Sequence, residues 1–314
     1  VIDTSDPGRS CPLGYRYRPE DLGRIEAWHA DTVYVIGGLY GNPWALDAIE
    51  TLAASEPEPV ELLFNGDFNW FNATGASFRA VNQRVLAYRA LKGNVEAEIA
   101  APSPDAGCGC AYPSSVPQRT VALSNKIMDR LQTLGHEAPE LKARLAALPR
   151  RAVSTVADVR IGIVHGDAES LAGWHFSREN LSDPGQRPRL MDWFQRARVS
   201  VFASSHTCEP VLWADSDGAS RRLIVNNGAA GMPNFQGTRY GVITRLSCRP
   251  CDSQARLYGT RTGALHVDAL AVKYDHTAWY AWFLSTWPPG TAAHESYADR
   301  ILNGTALEMA DAIP

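Results

Sequence analysis

Five short apolar runs in this chain each break off into a polar or glycine-rich turn: "TVYVIGG", "PVELLFNGD", "VRIGIVHGD", "VSVFASSHT" and "RRLIVNNGAAG". Runs of this length, rich in Val and Ile and bounded by Gly, Asn or Asp, read as buried strands. Helical spacing follows the first two. Pro43 restarts a pattern with Leu46, Ile49 and Leu52, and residues 76–91 carry Phe78, Val81, Val85 and Tyr88 three and four apart. Two further strands are expected at "YGVITRLS" and "ALHVDALAV". Strand–turn–helix units of this kind predict a mixed, layered α/β fold. In such folds chemistry collects in the loops beyond the carboxyl ends of the strands.

The segments between the strands have their own character. Residues 1–30 read as a polar arm and a short helix opening at Pro19-Glu20-Asp21, where proline suits the first turn and carboxylates suit the dipole. "APSPDAGCGCAYPSSVPQ" reads as loop. Two helices follow, the first ending at Gly135 as a C-cap, so residues 101–155 are expected to be a helical insertion able to cap a site. From about residue 275 an aromatic, helical extension runs to residue 314, and Trp279, Trp282 and Trp287 are expected to pack within it. No repeat or long linker divides the chain, which is read as one domain over 1–314.

Composition narrows the function classes. With 45% hydrophobic and 20% charged residues the chain can bury a sizeable core. A net charge of −4 points away from nucleic acid. No apolar run approaches the ~20 residues that span a bilayer, and the first residues lack a signal-peptide core. A soluble, cytoplasmic protein is therefore expected. The six cysteines are expected as free thiols, or else Cys108, Cys110, Cys248 and Cys251, from "CGC" and "CRPC", supply thiolates to a structural zinc ion.

Four turns carry residues able to bind a metal: Asp67 in "FNGDF", Asn94 in "KGNVE", His165 in "VHGD" and His206 in "SSHTC". One carboxylate, one amide oxygen and two imidazoles form a mixed set suited to Mn, Fe, Ni or Zn. Each alone is an ordinary turn residue or a hydrogen-bonded histidine. Their order and shared placement single them out together.

In that order the segments "GLYGN", "GDFNW", "GNVE", "HGD" and "SHTC", followed by "NNGAAGMPN", resemble the motifs of the calcineurin-like metallophosphoesterases, from about Val33 to Leu270. The resemblance implies a four-layer α/β/β/α sandwich of two mixed β-sheets flanked by helices. It implies that Asp67, Asn94, His165 and His206 hold one ion, with Asp67, Asn94 and His206 also serving catalysis. It further implies that the second ion's half-site is degenerate, since its other positions read Gly38, Tyr40 and Cys208. The family's histidine–aspartate dyad, which serves leaving-group protonation, reads Val95 and Trp70 here.

Several neighbours could compensate. Tyr40 either donates to phosphate or simply fills the vacated place. His175 could stand at the rim as a general acid, with Arg178 and Arg187 steering phosphate, or all three could be surface and packing residues. Glu96 is expected to orient Asn94 or to stand exposed. The expected function is a phosphatase or phosphodiesterase with one ion per chain, acting on a small phosphorylated substrate. The alternatives are a catalytically impaired binder of metal or a phosphorylated ligand on the same scaffold, or a wholly structural protein.

Overall fold

The structure is a computed structural model that describes residues 7–217 and 220–314, so the first six residues of the polar arm lie outside the described residues. Its strands are β1 (Trp28–His29), β2 (Thr32–Ile36), β3 (Glu61–Asn65), β4 (Arg89–Leu91), β5 (Arg151–Val156), β6 (Val159–Val164), β7 (Val201–Ser204), β8 (Pro210–Asp217), β9 (Ser220–Asn227), β10 (Gly241–Ser247), β11 (Arg256–Thr262) and β12 (Leu265–Val272). Its helices are α1 (Pro19–Gly23), α2 (Pro43–Ala54), α3 (Gly75–Val85), α4 (Asn94–Ala100), α5 (Gln118–Glu137), α6 (Pro139–Ala147), α7 (Arg178–Ser182), α8 (Arg187–Ala197), α9 (His276–Thr286) and α10 (Ala292–Asn303).

The strands form two six-stranded sheets, ordered β11-β12-β10-β2-β3-β4 and β1-β5-β6-β7-β9-β8. Both are mixed. In the first, β2, β3 and β4 run parallel while β10 opposes β2; in the second, β6, β7 and β9 run parallel while β8 opposes β9.

Side-chain alternation along the strands sorts the core into layers. Val33 and Val35 of β2 point inward to meet Ile161, Ile163, Val201 and Ala203 of the other sheet. Tyr34 and Ile36 point outward, with Phe64, onto α2, α3 and α9. On the far side Val153, Phe202 and Ile224 pack against Trp193 and Phe194 of α8. Two apolar faces on each sheet explain why the strands read as continuous hydrophobic runs. The result is the four-layer α/β/β/α arrangement.

Four boundaries differ from the sequence-based expectation. The helical spacing over 76–91 continues to Tyr88, but α3 stops at Val85 and Arg89–Leu91 pair with β3 as β4. Residues 151–155, anticipated within the helical insertion, belong to β5. Gly135 is not a cap: α5 runs on to Glu137, and Gly135 lets it approach α4, where a β-carbon would stand 2.8 Å from Ile99 Cγ2. Strands β1, within the segment read as a polar arm and short helix, β8 and β11 lie at sheet edges and are not marked by the sequence pattern. The insertion packs through α5 on α4 and α10, so it joins the C-terminal helices over one end of the sheets. Trp279 and Trp287 are buried as expected. Among the described residues no helix is long and apolar enough to cross a membrane.

Candidate metal centre

The site forms where the carboxyl ends of the two sheets meet. Asp67 follows β3 and Asn94 follows β4 on one sheet; His165 follows β6 and His206 follows β7 on the other. The turn after β3 is tight, with Gly66 at φ 81° and Asp67 at φ 53°. A β-carbon on Gly66 would stand 2.5 Å from the backbone nitrogen of Gly93. Only glycine lets these two loops touch.

Ligand-type atoms of Asp67, His165 and His206 lie within 4.8 Å of one another and are buried. His165 Nε2 stands 3.3 Å from Asp67 Oδ2, 3.2 Å from Asn94 Oδ1 and 3.2 Å from His206 Nδ1. The four residues predicted from the strand ends are thus brought together.

Outer hydrogen bonds decide which atom of each side chain faces the centre. His165 Nδ1 donates to the Asn65 carbonyl at 2.8 Å, so Nε2 keeps its lone pair. His206 Nε2 donates to the Cys110 carbonyl at 3.0 Å, so Nδ1 keeps its own. Asn94 Nδ2 donates to the Cys108 carbonyl at 3.0 Å, which turns Oδ1 inward. Asp67 Oδ1 accepts from Val95 N–H at 3.2 Å, leaving Oδ2 free. Carbonyls fixing imidazole tautomers are the usual outer arrangement around a bound metal. The donor set and its aim fit a divalent transition metal.

Asp67 and His206 carry the charges that geometry needs. Burial opposes ionisation of Asp67, but the His165 and His206 rings and the Val95 N–H hold its carboxyl below the ordinary range. Burial, reinforced by the neighbouring His165, pushes His206 down to about 3, so it is a neutral imidazole at neutral pH. Burial also works against charge on His165, where the Asp67 carboxylate outweighs it and raises the pKa.

Glu96 is neither exposed nor bonded to the Asn94 side chain. Fully buried, it accepts from the backbone N–H of Asp67 (2.7 Å), Gly93 (3.0 Å) and Asn69 (3.2 Å). It therefore clamps the β3 and β4 turns together. Burial and the adjacent Asp67 carboxylate raise its pKa to about 7.

The positions that the resemblance assigns to a second ion are closed by their own residues. Gly38, Tyr40 and Cys208 all hold left-handed backbone, at φ 64°, 53° and 58°. The Tyr40 ring lies over Gly38, and its hydroxyl reaches Cys208 Sγ at 2.6 Å. Burial raises the Tyr40 phenol well above its ordinary value, and burial raises the Cys208 thiol despite nearby Arg300, so both stay protonated. Trp70 and Val95, at the dyad positions, are both buried and apolar on the cavity wall.

A cavity of about 270 Å³ opens beside Asp67, Asn94 and His206. The insertion lends it Cys110 and Tyr112, and α10 lends Tyr297 and Arg300. Trp174 forms another wall, edge-on to the His206 ring at 5.3 Å and donating from Nε1 to the Cys110 carbonyl. The insertion and the C-terminal segment are expected from the sequence to shape the pocket, but nothing in it marks these individual residues or a backbone carbonyl as part of the site.

Three residues read as either rim or surface residues lie off the cavity. His175 does not line the cavity; it stands edge-on to Trp193 and receives Arg189 at 3.0 Å. Arg187 pairs with Asp215, and Arg178 also lies off the cavity. The cysteines do not form a zinc site either. Cys108 and Cys110 are joined as a disulfide, contrary to the expectation of free thiols there, while Cys248 and Cys251 are free. Cys248 follows Ser247, which pairs with Thr32 at the start of β2, the opposite end from the site.

No protein-family model and no curated protein sequence matches the chain. Solved structures do. A metallophosphoesterase from Sphaerobacter thermophilus is similar at 17% identity and a TM-score of 0.55, over 87% of this chain and 100% of that one. A hypothetical protein from Pyrococcus horikoshii OT3 is similar at 16% identity and a TM-score of 0.58, over 88% of this chain and 99% of that one. Architecture, strand-end motifs and these likenesses agree: the chain has the fold of the calcineurin-like metallophosphoesterases.

Proposed function

We propose that this protein hydrolyses phosphate esters at a centre holding one divalent transition-metal ion. The observation that carries the reading is the aim of the donor atoms. Three backbone carbonyls and one backbone N–H turn Asp67 Oδ2, Asn94 Oδ1, His165 Nε2 and His206 Nδ1 toward one point. The metallophosphoesterase architecture of the Sphaerobacter protein supports the same reading.

When bound, such an ion supplies positive charge that polarises a phosphoryl oxygen. The chain's own residues set the rest. Asp67 contributes one negative charge, and His206 stays neutral, so the centre keeps net positive character. The rings of Trp70, Tyr112 and Trp174 line the cavity beside the donor atoms. With Trp70 and Val95 at the dyad positions, those two places offer no acid to protonate the leaving group. Esters whose leaving groups depart as stable anions are the substrates this site suits.

The test is metal analysis of purified protein together with hydrolysis of aryl phosphomonoesters and diesters. Wild type is expected to hold one ion and turn over with Mn, Fe, Ni or Zn, and His206→Ala to lose both. Absence of turnover with every metal across the panel rejects the reading.

The closed half-site favours a second reading, a binder of phosphorylated ligands without turnover. Tyr40 and Cys208 seal each other at the vacated place. That reading expects calorimetric binding of a phosphorylated ligand and no product.

A further inference from the structure

Arg300 projects from the last turn of α10, outside the two sheets. Its Nε donates to the Pro233 carbonyl at 3.1 Å. Its Nη2 donates to the Cys208 carbonyl at 3.1 Å and lies 3.4 Å from Asn234 Oδ1. These bonds fix the plane of the guanidinium. Nη1 has no hydrogen-bond partner among the described residues, and no carboxylate there stands within ion-pair distance. Glu209 feels the Arg300 charge yet forms no pair with it. Arg300 is also the one Arg or Lys among the described residues that line the cavity beside Asp67 and His206.

A half-buried cation held by neutral carbonyls, with one edge free, lacks a counter-ion. The cavity it faces is walled by aromatic rings and carries a single carboxylate, Asp67, among its lining. One of the two carbonyls that anchor it belongs to Cys208, which closes against Tyr40. We propose that Arg300 is the phosphate-binding residue of this site, a fixed organic cation on the cavity wall beside the place that Tyr40 and Cys208 close. It rests on the phosphoesterase fold of the cavity but not on turnover. The free Nη1 donates to a non-bridging oxygen of the phosphate group, a charge-assisted hydrogen bond from a guanidinium whose other two nitrogens are already held by carbonyls. The ligand class is a phosphate ester or inorganic phosphate, its organic part against Tyr112, Trp174 and Tyr297.

The experiment is calorimetry of inorganic phosphate with wild type, Arg300→Gln and Arg300→Lys, each with its metal content measured. Loss of a charged hydrogen bond weakens phosphate binding by roughly 10- to 100-fold in Arg300→Gln. Metal content stays unchanged, and Arg300→Lys recovers part of the affinity. Equal affinity in wild type and Arg300→Gln, or no phosphate binding by wild type, overturns the proposal. Should Arg300→Gln not fold, phenylglyoxal modification of wild type decides. Phosphate is expected to slow labelling of Arg300 in a peptide map, and an unaltered rate overturns the proposal. The two readings separate cleanly. Phosphate binding that depends on Arg300 without ester hydrolysis rejects the phosphoesterase reading alone. Hydrolysis and phosphate binding that ignore Arg300 reject its role alone.

Discussion

The hydroxyl of Tyr40 lies 2.6 Å from Sγ of Cys208, and the Tyr40 ring occupies the space beside Gly38. The three residues close on one another, so if they stand where the resemblance puts a second ion they should be reversible only as a set. A β-carbon on Gly38 would stand 2.8 Å from Tyr40 Cε2. Gly38→Asp alone is therefore expected to destabilise the fold by about 1–3 kcal/mol through that clash. Adding Tyr40→His replaces the phenol with a smaller ring and relieves that clash, leaving the cost of a side chain on the left-handed backbone of Gly38 (φ 64°). The triple change Gly38→Asp, Tyr40→His and Cys208→His should raise the metal content from one ion per chain to two, read by elemental analysis. A triple variant that folds and still holds one ion counts against this account of the half-site.

Asn94 Oδ1 and the two imidazole nitrogens meet around one point. Ligands that bind only the folded state raise its stability by about 2.7 kcal/mol at a hundredfold excess over Kd. Saturating Mn or Zn should thus raise the melting temperature of wild type. Asn94→Ala, His165→Ala and His206→Ala should each lose most of that rise. His175→Ala, off the cavity, should keep it in full. An equal rise in His206→Ala would place the metal elsewhere.

Cys108 and Cys110 act on the centre through their carbonyls, which hold Asn94 Nδ2 and His206 Nε2, each at 3.0 Å. The disulfide between them stiffens that loop. Reduction by a small dithiol should loosen both outer bonds, and changes of this kind lower metal affinity by about 10–100-fold. Calorimetric metal titration before and after reduction checks it, with Cys108→Ser/Cys110→Ser as the permanent counterpart. Identical affinities would mean the loop holds its shape without the bond.

The dyad positions also carry a kinetic consequence. Trp70 and Val95 offer no proton to a departing oxygen. Turnover of aryl phosphates should then fall steeply as the leaving phenol becomes less acidic. A series from nitrophenyl to unsubstituted phenyl phosphate measures the slope. A flat series would reveal a general acid that Trp70 and Val95 do not supply.

Much of this was legible in the chain because buried strands announce themselves. The runs ending at Ile36, Asn65, Val164 and Ser204 are apolar on both faces, and the turn after three of them places Asp67, His165 or His206. Asn94 was legible from its "GN" turn, although the strand before it was hidden by helical spacing that carries through Tyr88. What stayed hidden acts through geometry rather than residue type. The Cys108 and Cys110 carbonyls give no side-chain signal, and their thiols read as free or, with Cys248 and Cys251, as a zinc site that the fold pulls apart. Arg300 is an unremarked arginine on a polar helix until α10 folds against α5. His175 misled for the converse reason: closeness in sequence to His165 does not bring it to the cavity.

A last expectation concerns stability, away from the site. Arg245 of β10 is buried and meets Glu56 twice, Nε to Oε1 at 2.6 Å and Nη2 to Oε2 at 3.0 Å. The Tyr34 hydroxyl donates to the same carboxylate at 2.7 Å. Burial opposes charge on Glu56, but Arg245 and Tyr34 outweigh it and hold the carboxyl below its ordinary value of 4.5. A depressed carboxyl stabilises the fold when ionised. Its contribution is complete above pH 4.5 and is lost as the pH falls through the folded value. Glu56→Gln leaves Arg245 with Asp268 at 3.4 Å as its remaining acidic partner. It should cost about 3 kcal/mol at pH 7, as for other broken buried pairs. The gap between wild type and variant should narrow as pH falls below 4.5, because wild type then loses the same charge. Urea denaturation at pH 7 and at successively lower pH measures the gap, and one that stays constant through the acid range would show that the Glu56 charge contributes nothing.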